Sequence, residues 1–166
     1  MFKAIRKNRS AFFWGFLTVL VNPIASAPAL ANWQFTKWGM SPAEVFEASN
    51  GAAPIGDIEE ITEDRSQIKN SGVYMVGSIP LRSRYHYIDN RLTMVELFVE
   101  SSATCYVFRQ NLGSQYGKPF SDMDEEIIKE TTWKDTEKMN RIFLREIGES
   151  CWLRYSELGK DTRSRL

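Results

Sequence analysis

Two cysteines, one histidine and a short run of arginines are the residues through which this 166-residue chain could do chemistry. Cys105 and Cys151 are too far apart for a Cys-x-x-Cys redox pair, so a catalytic thiol is disfavoured. In an oxidising compartment their default state is a Cys105–Cys151 disulfide, with two buried free thiols as the alternative. A single histidine, His86, cannot build a His-based zinc set without carboxylates or the cysteines themselves. A Ser–His–Asp triad through His86, Asp89 and a serine finds no supporting motif; the bland place for His86 is the wet face of a strand. There is no Gly-rich phosphate loop, no His-Glu-x-x-His and no Gly-x-Ser-x-Gly. Asp122-x-Asp124-Glu125-Glu126 lacks the glycine and the spaced terminal glutamate of an EF-hand, and reads as a solvated loop or helix start. The sequence therefore predicts no catalytic residues, no metal and no cofactor.

Binding is better served. Arg82, Arg84 and His86 alternate along one strand and form a basic stripe, read either as a site for an anion or acidic partner or as a solvated face. Trp152 and Arg154 alternate in the same way on a later strand. Four tryptophans (Trp33, Trp38, Trp133 and Trp152) follow the N-terminal region, and Trp152 is the one whose strand neighbours face inward. An exposed Trp beside an Arg suits a protein interface.

Several elements must position these residues. Trp33–Trp38 alternates apolar and polar residues and reads as a short strand or extended lead-in. Ser41-Pro42-Ala43-Glu44 is a helix start: a capping serine, a proline suited to the first turn, and a glutamate that closes the capping box. Asn50-Gly51 ends that helix. An acidic loop with a weak strand near Ile58–Ile61 follows, then an Asn70-Ser71-Gly72 turn and a strand over Val73–Ile79. Leu81–Ile88 alternates cleanly, with Leu81, Ser83, Tyr85 and Tyr87 on the other face from the basic stripe. Asp89-Asn90-Arg91 turns the chain into Leu92–Val99.

A second helix, capped by Ser101 or Ser102, carries Cys105, Phe108, Leu112 and Tyr116 on one stripe and stops at Gly117 and Pro119. Gly113 inside it implies close packing of helix on sheet. Ser121–Glu126 reads as a second acidic loop, and Ile127–Trp133, Met139–Ile147 and Cys151–Tyr155 as strands. Cys151 shares a face with Leu153 and Tyr155, so two independent periodicities aim both thiols at one core. Tyr85-x-Tyr87-x-Asp89 loosely echoes Thr131-x-Trp133-x-Asp135, which suggests a degenerate helix-plus-meander duplication. The expected fold is α+β: an antiparallel sheet of five to seven strands with two helices packed on one face.

The N-terminus has the plan of a cleaved secretory signal. Lys3, Arg6, Lys7 and Arg9 precede the apolar run Ala11–Val21, and Ala29-Leu30-Ala31 is a small-x-small cleavage site. Asn22 and Pro23 cut the run to about half the ~20 residues of a membrane span. The expected organisation is a signal over 1–31, one domain over 32–158 and a polar tail over 159–166. From Asn32 onward the chain carries 17 Lys and Arg against 21 Asp and Glu, a net charge near −4. That balance opposes nucleic acid and anionic lipid as partners. No cysteine lies near the leader, so a lipoprotein's attachment point is missing and no stable membrane anchor is expected after cleavage. The expected location is periplasmic or secreted.

The stretch Trp38–Tyr155 resembles small exported bacterial domains of unknown function. The similarity lies in Trp-Gly-Met-Ser-Pro-x-Glu-Val (Trp38–Val45), an Asp-x-x-Leu hairpin (Asp89–Leu92), and a helix ending Leu-x-x-x-Tyr-Gly-x-Pro (Leu112–Pro119). More distantly, the helix start is similar to that of α+β domains in outer-membrane assembly lipoproteins and β-lactamase-inhibitor proteins. The resemblance implies fold and export, and no activity. The functional expectation is a non-enzymatic exported domain that binds a protein or envelope component through a sheet face or edge. The rival is a small-ligand carrier or enzyme with a pocket between helix and sheet.

Overall fold

The computed structural model describes residues 33–61 and 65–159. The proposed leader, Asn32 and all of the tail after Gly159 lie outside them. The order is α1 (Pro42–Ala48), β1 (Ile55–Ile61), β2 (Gln67–Val76), β3 (Ile79–Ile88), β4 (Arg91–Glu100), α2 (Ser102–Tyr116), β5 (Ser121–Asp124), β6 (Ile128–Asp135), β7 (Asn140–Ile147) and β8 (Ser150–Glu157). All strands join one antiparallel sheet in the order β1-β2-β3-β4-β8-β7-β6-β5. The expected α+β fold with five to seven strands is thus corrected to a single eight-stranded sheet with two helices, 52% strand and 18% helix over the described residues. Each half runs helix then four-stranded meander, and the halves meet where β4 pairs with β8.

The extra strand came from segments whose local composition favours turns. Asn70-Ser71-Gly72 lies in the middle of β2, not in a turn. The Asn70 side-chain amide is buried and donates to the carbonyls of Pro42 and Ala53 at 3.1 and 2.8 Å, so it anchors α1 and the chain leaving it to the sheet. Gly72 is needed because a Cβ there would lie 2.3 Å from the Ala52 carbonyl oxygen. The turn falls instead at Gly77-Ser78, with Gly77 at φ +60°. Likewise the acidic Ser121–Asp124 is not a loop but the edge strand β5, held by register with β6, by Asp122 accepting from the Thr131 hydroxyl at 2.8 Å and by Asp124 pairing with Lys129 at 3.0 Å. Trp33–Trp38 forms a tight turn closed by a Trp33–Thr36 bridge, with Gln34 at φ +49°, rather than a strand.

Both helices begin as their sequences dictate. In α1 the Ser41 hydroxyl accepts from the Glu44 amide, and the Glu44 carboxylate accepts from the Ser41 amide at 2.7 Å. The bond from the Ser41 amide, with a second donated by the Ser41 hydroxyl at 2.8 Å, stabilises the ionised carboxylate and holds the Glu44 pKa below its ordinary value. In α2 the cap is Ser101, whose hydroxyl accepts from the Thr104 amide. The expected tight packing at Gly113 is absent: a Cβ there would meet nothing within 4 Å. The glycine is therefore a local helix weakness with no packing reason.

The helices share one side of the sheet. Val45 of α1 and Cys105, Phe108 and Leu112 of α2 join one buried cluster with Leu81, Tyr85 and Tyr87 of β3, Val95, Leu97 and Val99 of β4, and Leu153 and Tyr155 of β8. Trp33 closes the layer, with its ring 5.0 Å from Tyr74 and 5.8 Å from Tyr155. Burial pushes the Tyr85 hydroxyl pKa up to about 12 and raises those of Tyr87 and Tyr155 further, so these rings stay neutral in the native state. Cys105 and Cys151 form a disulfide with Cα atoms 5.9 Å apart, fastening α2 to β8. Trp38 adds a tie across the halves, donating its indole N–H to the buried Asn140 of β7 at 3.1 Å. Among the described residues no helix is long and apolar enough to cross a membrane.

Four outcomes test this architecture. Gly72→Ala should lower stability by about 1–3 kcal/mol in urea melts, because backbone must move to admit the methyl. Gly113→Ala should instead stabilise, by up to about 1 kcal/mol. Non-reducing peptide mapping should recover the Cys105–Cys151 cross-link. Replacing both cysteines with alanine should cost about 4 kcal/mol on the chain-entropy model for a loop of 46 residues.

Candidate functional site

Strand alternation gives the sheet a second face, turned away from both helices. Register places its residues in rows across the strands. One row runs Val73, Arg82, Phe98, Trp152, Arg145, Glu130 from β2 to β6. The next runs Ser71, Arg84, Glu96, Arg154, Phe143, Thr132. Four of the five residues expected to bind therefore come together: Arg82 and Arg84 from β3, and Trp152 and Arg154 from β8. The partners between them, Glu96 and Phe98 of β4, were not anticipated from the sequence. Their signal was there in the alternation Met94, Glu96, Phe98 against the apolar Val95, Leu97, Val99.

His86 is the exception. It belongs to the same strand face but is buried, at 3% exposure, with Nδ1 3.1 Å from the hydroxyl of the fully buried Ser66. The expected wet-face histidine is thus corrected to an interior one. Its strand enters the sheet beside register irregularities at Ile68/Asn70 and His86/Tyr87, which disturb the simple alternation there. Ser66 has no exposed surface through which to meet a substrate.

At the centre of the open face the Phe98 and Trp152 rings pack at 5.3 Å between centroids, tilted by 46°. The Arg82 guanidinium sits 4.6 Å above the Phe98 ring, a cation–π contact. The Arg154 Nε donates to Glu96 Oε2 at 2.6 Å, and Glu96 is only 5% exposed. Arg145 pairs with Glu130 at 3.2 Å further along. Arg84 lies across from Glu96 in register but has no ion-pair partner among the described residues. Arg82, Arg84, Glu96, Phe98 and Trp152 enclose a cleft of about 220 Å³. A second cleft of about 380 Å³, where β1 pairs irregularly with β2, shares Arg82 and Arg84 and extends to Gly56 and Val73. Between helices and sheet lie the side chains of the core cluster.

Charge on this face is biased. Among the described side chains, Arg82, Arg84, Arg141, Arg145, Arg154 and Lys134 share it with the carboxylates of Glu96 and Glu130, and register adds Glu60 and Glu100 to the same face; the chain from Asn32 on is net acidic. Among the described residues no group of three or more His, Cys, Asp or Glu could hold a metal ion. The arrangement offers guanidinium donors and an aromatic platform.

Comparison with known proteins finds no matching family model, no matching curated protein and no matching solved structure. The resemblance carried by Trp38–Tyr155 rests on its motifs alone.

The Glu96–Arg154 pair yields a stability test. Arg154→Ala should cost about 1 kcal/mol, because it strands a desolvated carboxylate while the arginine itself is part exposed. Adding Glu96→Gln to Arg154→Ala should recover most of that loss in thermal melts.

Proposed function

We propose that this chain is an exported protein, acting in the periplasm or outside the cell, that binds another protein on the open face of its sheet without catalysing a reaction. The observation that carries this reading is the Phe98–Trp152 pair set among Arg82, Arg84 and Arg154 on a face that neither helix covers. Tryptophan and arginine in a central, partly desolvated cluster are the residues that dominate protein interfaces. Export is supported by the basic–apolar–small leader and by the disulfide, which oxidising compartments sustain.

Pull-down from an envelope extract tests the reading. The wild-type protein should retain a partner that Trp152→Ala and Arg84→Ala lose, by about tenfold or more, the scale of a hot-spot truncation. Tyr106→Ala, exposed on the helix side, should retain it. A partner indifferent to both sheet variants would remove the open face from the function.

A further inference from the structure

Resting on that binding role, we infer that the open face accepts an acidic segment of its partner, laid across β2, β3, β4 and β8 with a carboxylate at Arg84 and an apolar side chain on Phe98 and Trp152. The two clefts share Arg82 and Arg84 and lie side by side, so together they trace a path that crosses the strands rather than following one. From β2 to β8 is three strand spacings, about 14 Å, the length of four or five extended residues.

The chemistry of the groove sets what those residues carry. Arg154 is engaged by Glu96 and Arg82 lies over Phe98, which leaves Arg84 as the guanidinium with no ion-pair partner among the described residues. A guanidinium fork matches a carboxylate bidentately, and the neighbouring arginines add favourable potential. The tilted Phe98–Trp152 pair is a platform for an apolar or aromatic side chain next along the segment. A continuous polyanion fits less well. Glu96 lines the cleft between the arginines and would repel a second anionic group set close to the first, and the chain as a whole is acidic from Asn32 on. One discrete carboxylate beside one apolar group satisfies the groove; a uniform row of charges does not.

Selection of random peptides displayed on phage, against protein purified from cells expressing the full chain, tests this directly. The enriched peptides should carry Asp or Glu within about two residues of an aromatic residue or Leu, the pitch of neighbouring strands. A synthetic peptide from the pool should bind Arg84→Gln and Trp152→Ala about tenfold or more weakly, the loss expected for a hot-spot residue. Both variants must keep the disulfide and the wild-type melting temperature, and heparin fragments should not compete. Enriched peptides without carboxylates that still require Trp152 would overturn the acidic assignment while leaving the open face as the docking surface. Peptides indifferent to both variants would overturn the inference and the binding role together. Competition by heparin would reassign the groove to a polyanion. Sedimentation as a dimer that Arg84→Gln dissolves would give the face to a second copy of this chain, and either result overturns the proposal.

Discussion

The structure depends on the seam between β4 and β8. Seven registered residue pairs, Met94–Ser156 through Glu100–Ser150, join the two meanders there. Alternate pairs do different work. Val95–Tyr155, Leu97–Leu153 and Val99–Cys151 point into the core, while Glu96–Arg154 and Phe98–Trp152 point out. The interior and the candidate site are thus two sides of one piece of backbone. A shift of one residue in this register would exchange them, putting Glu96 and Arg154 into the core and its aliphatic residues into water.

The disulfide reinforces this division. Cys151 immediately precedes Trp152, so the strand that presents the indole is held covalently to α2 from behind. Behind the same strand region, Arg109 of α2 donates through Nε to Glu146 of β7 at 2.6 Å. Helix, sheet and groove are therefore supported by an apolar cluster, one covalent bond and a part-buried ion pair. A groove built on a braced sheet loses little freedom on binding, which favours affinity from few contacts.

Much of this was legible in the chain. The capping box at Ser41–Glu44 and the opposition of Leu81/Tyr85 to Arg82/Arg84 follow from spacing of a few residues, which is what periodicity reports, and the cysteine pairing follows from there being two thiols and an oxidising compartment. What failed was local signal overruled by distant partners. Asn70-Ser71-Gly72 has turn chemistry, yet Asn70 bonds to α1 and the Ala53 carbonyl, and Gly72 is shaped by Ala52. Ser121–Asp124 is acidic and exposed, yet β6 supplies the pairing that makes it a strand. His86 follows the wet-face alternation and is nevertheless enclosed with Ser66. Glu96 and Phe98 acquire meaning only when β8 lies beside β4, a neighbour that residues nearby in sequence do not disclose.

That neighbour arrives late. Glu96 and Arg154 are 58 residues apart, and β8 is the last strand in sequence among the described residues. A chain made from its N-terminus completes α1 and the first meander long before β8 exists. Until then β4 has one bare edge, with its backbone donors and acceptors unpaired and Val95, Leu97 and Val99 short of their cover. Distant pairing of this kind is slow and exposes sticky intermediates. The first meander alone therefore leaves open the β4 edge that β8 later covers.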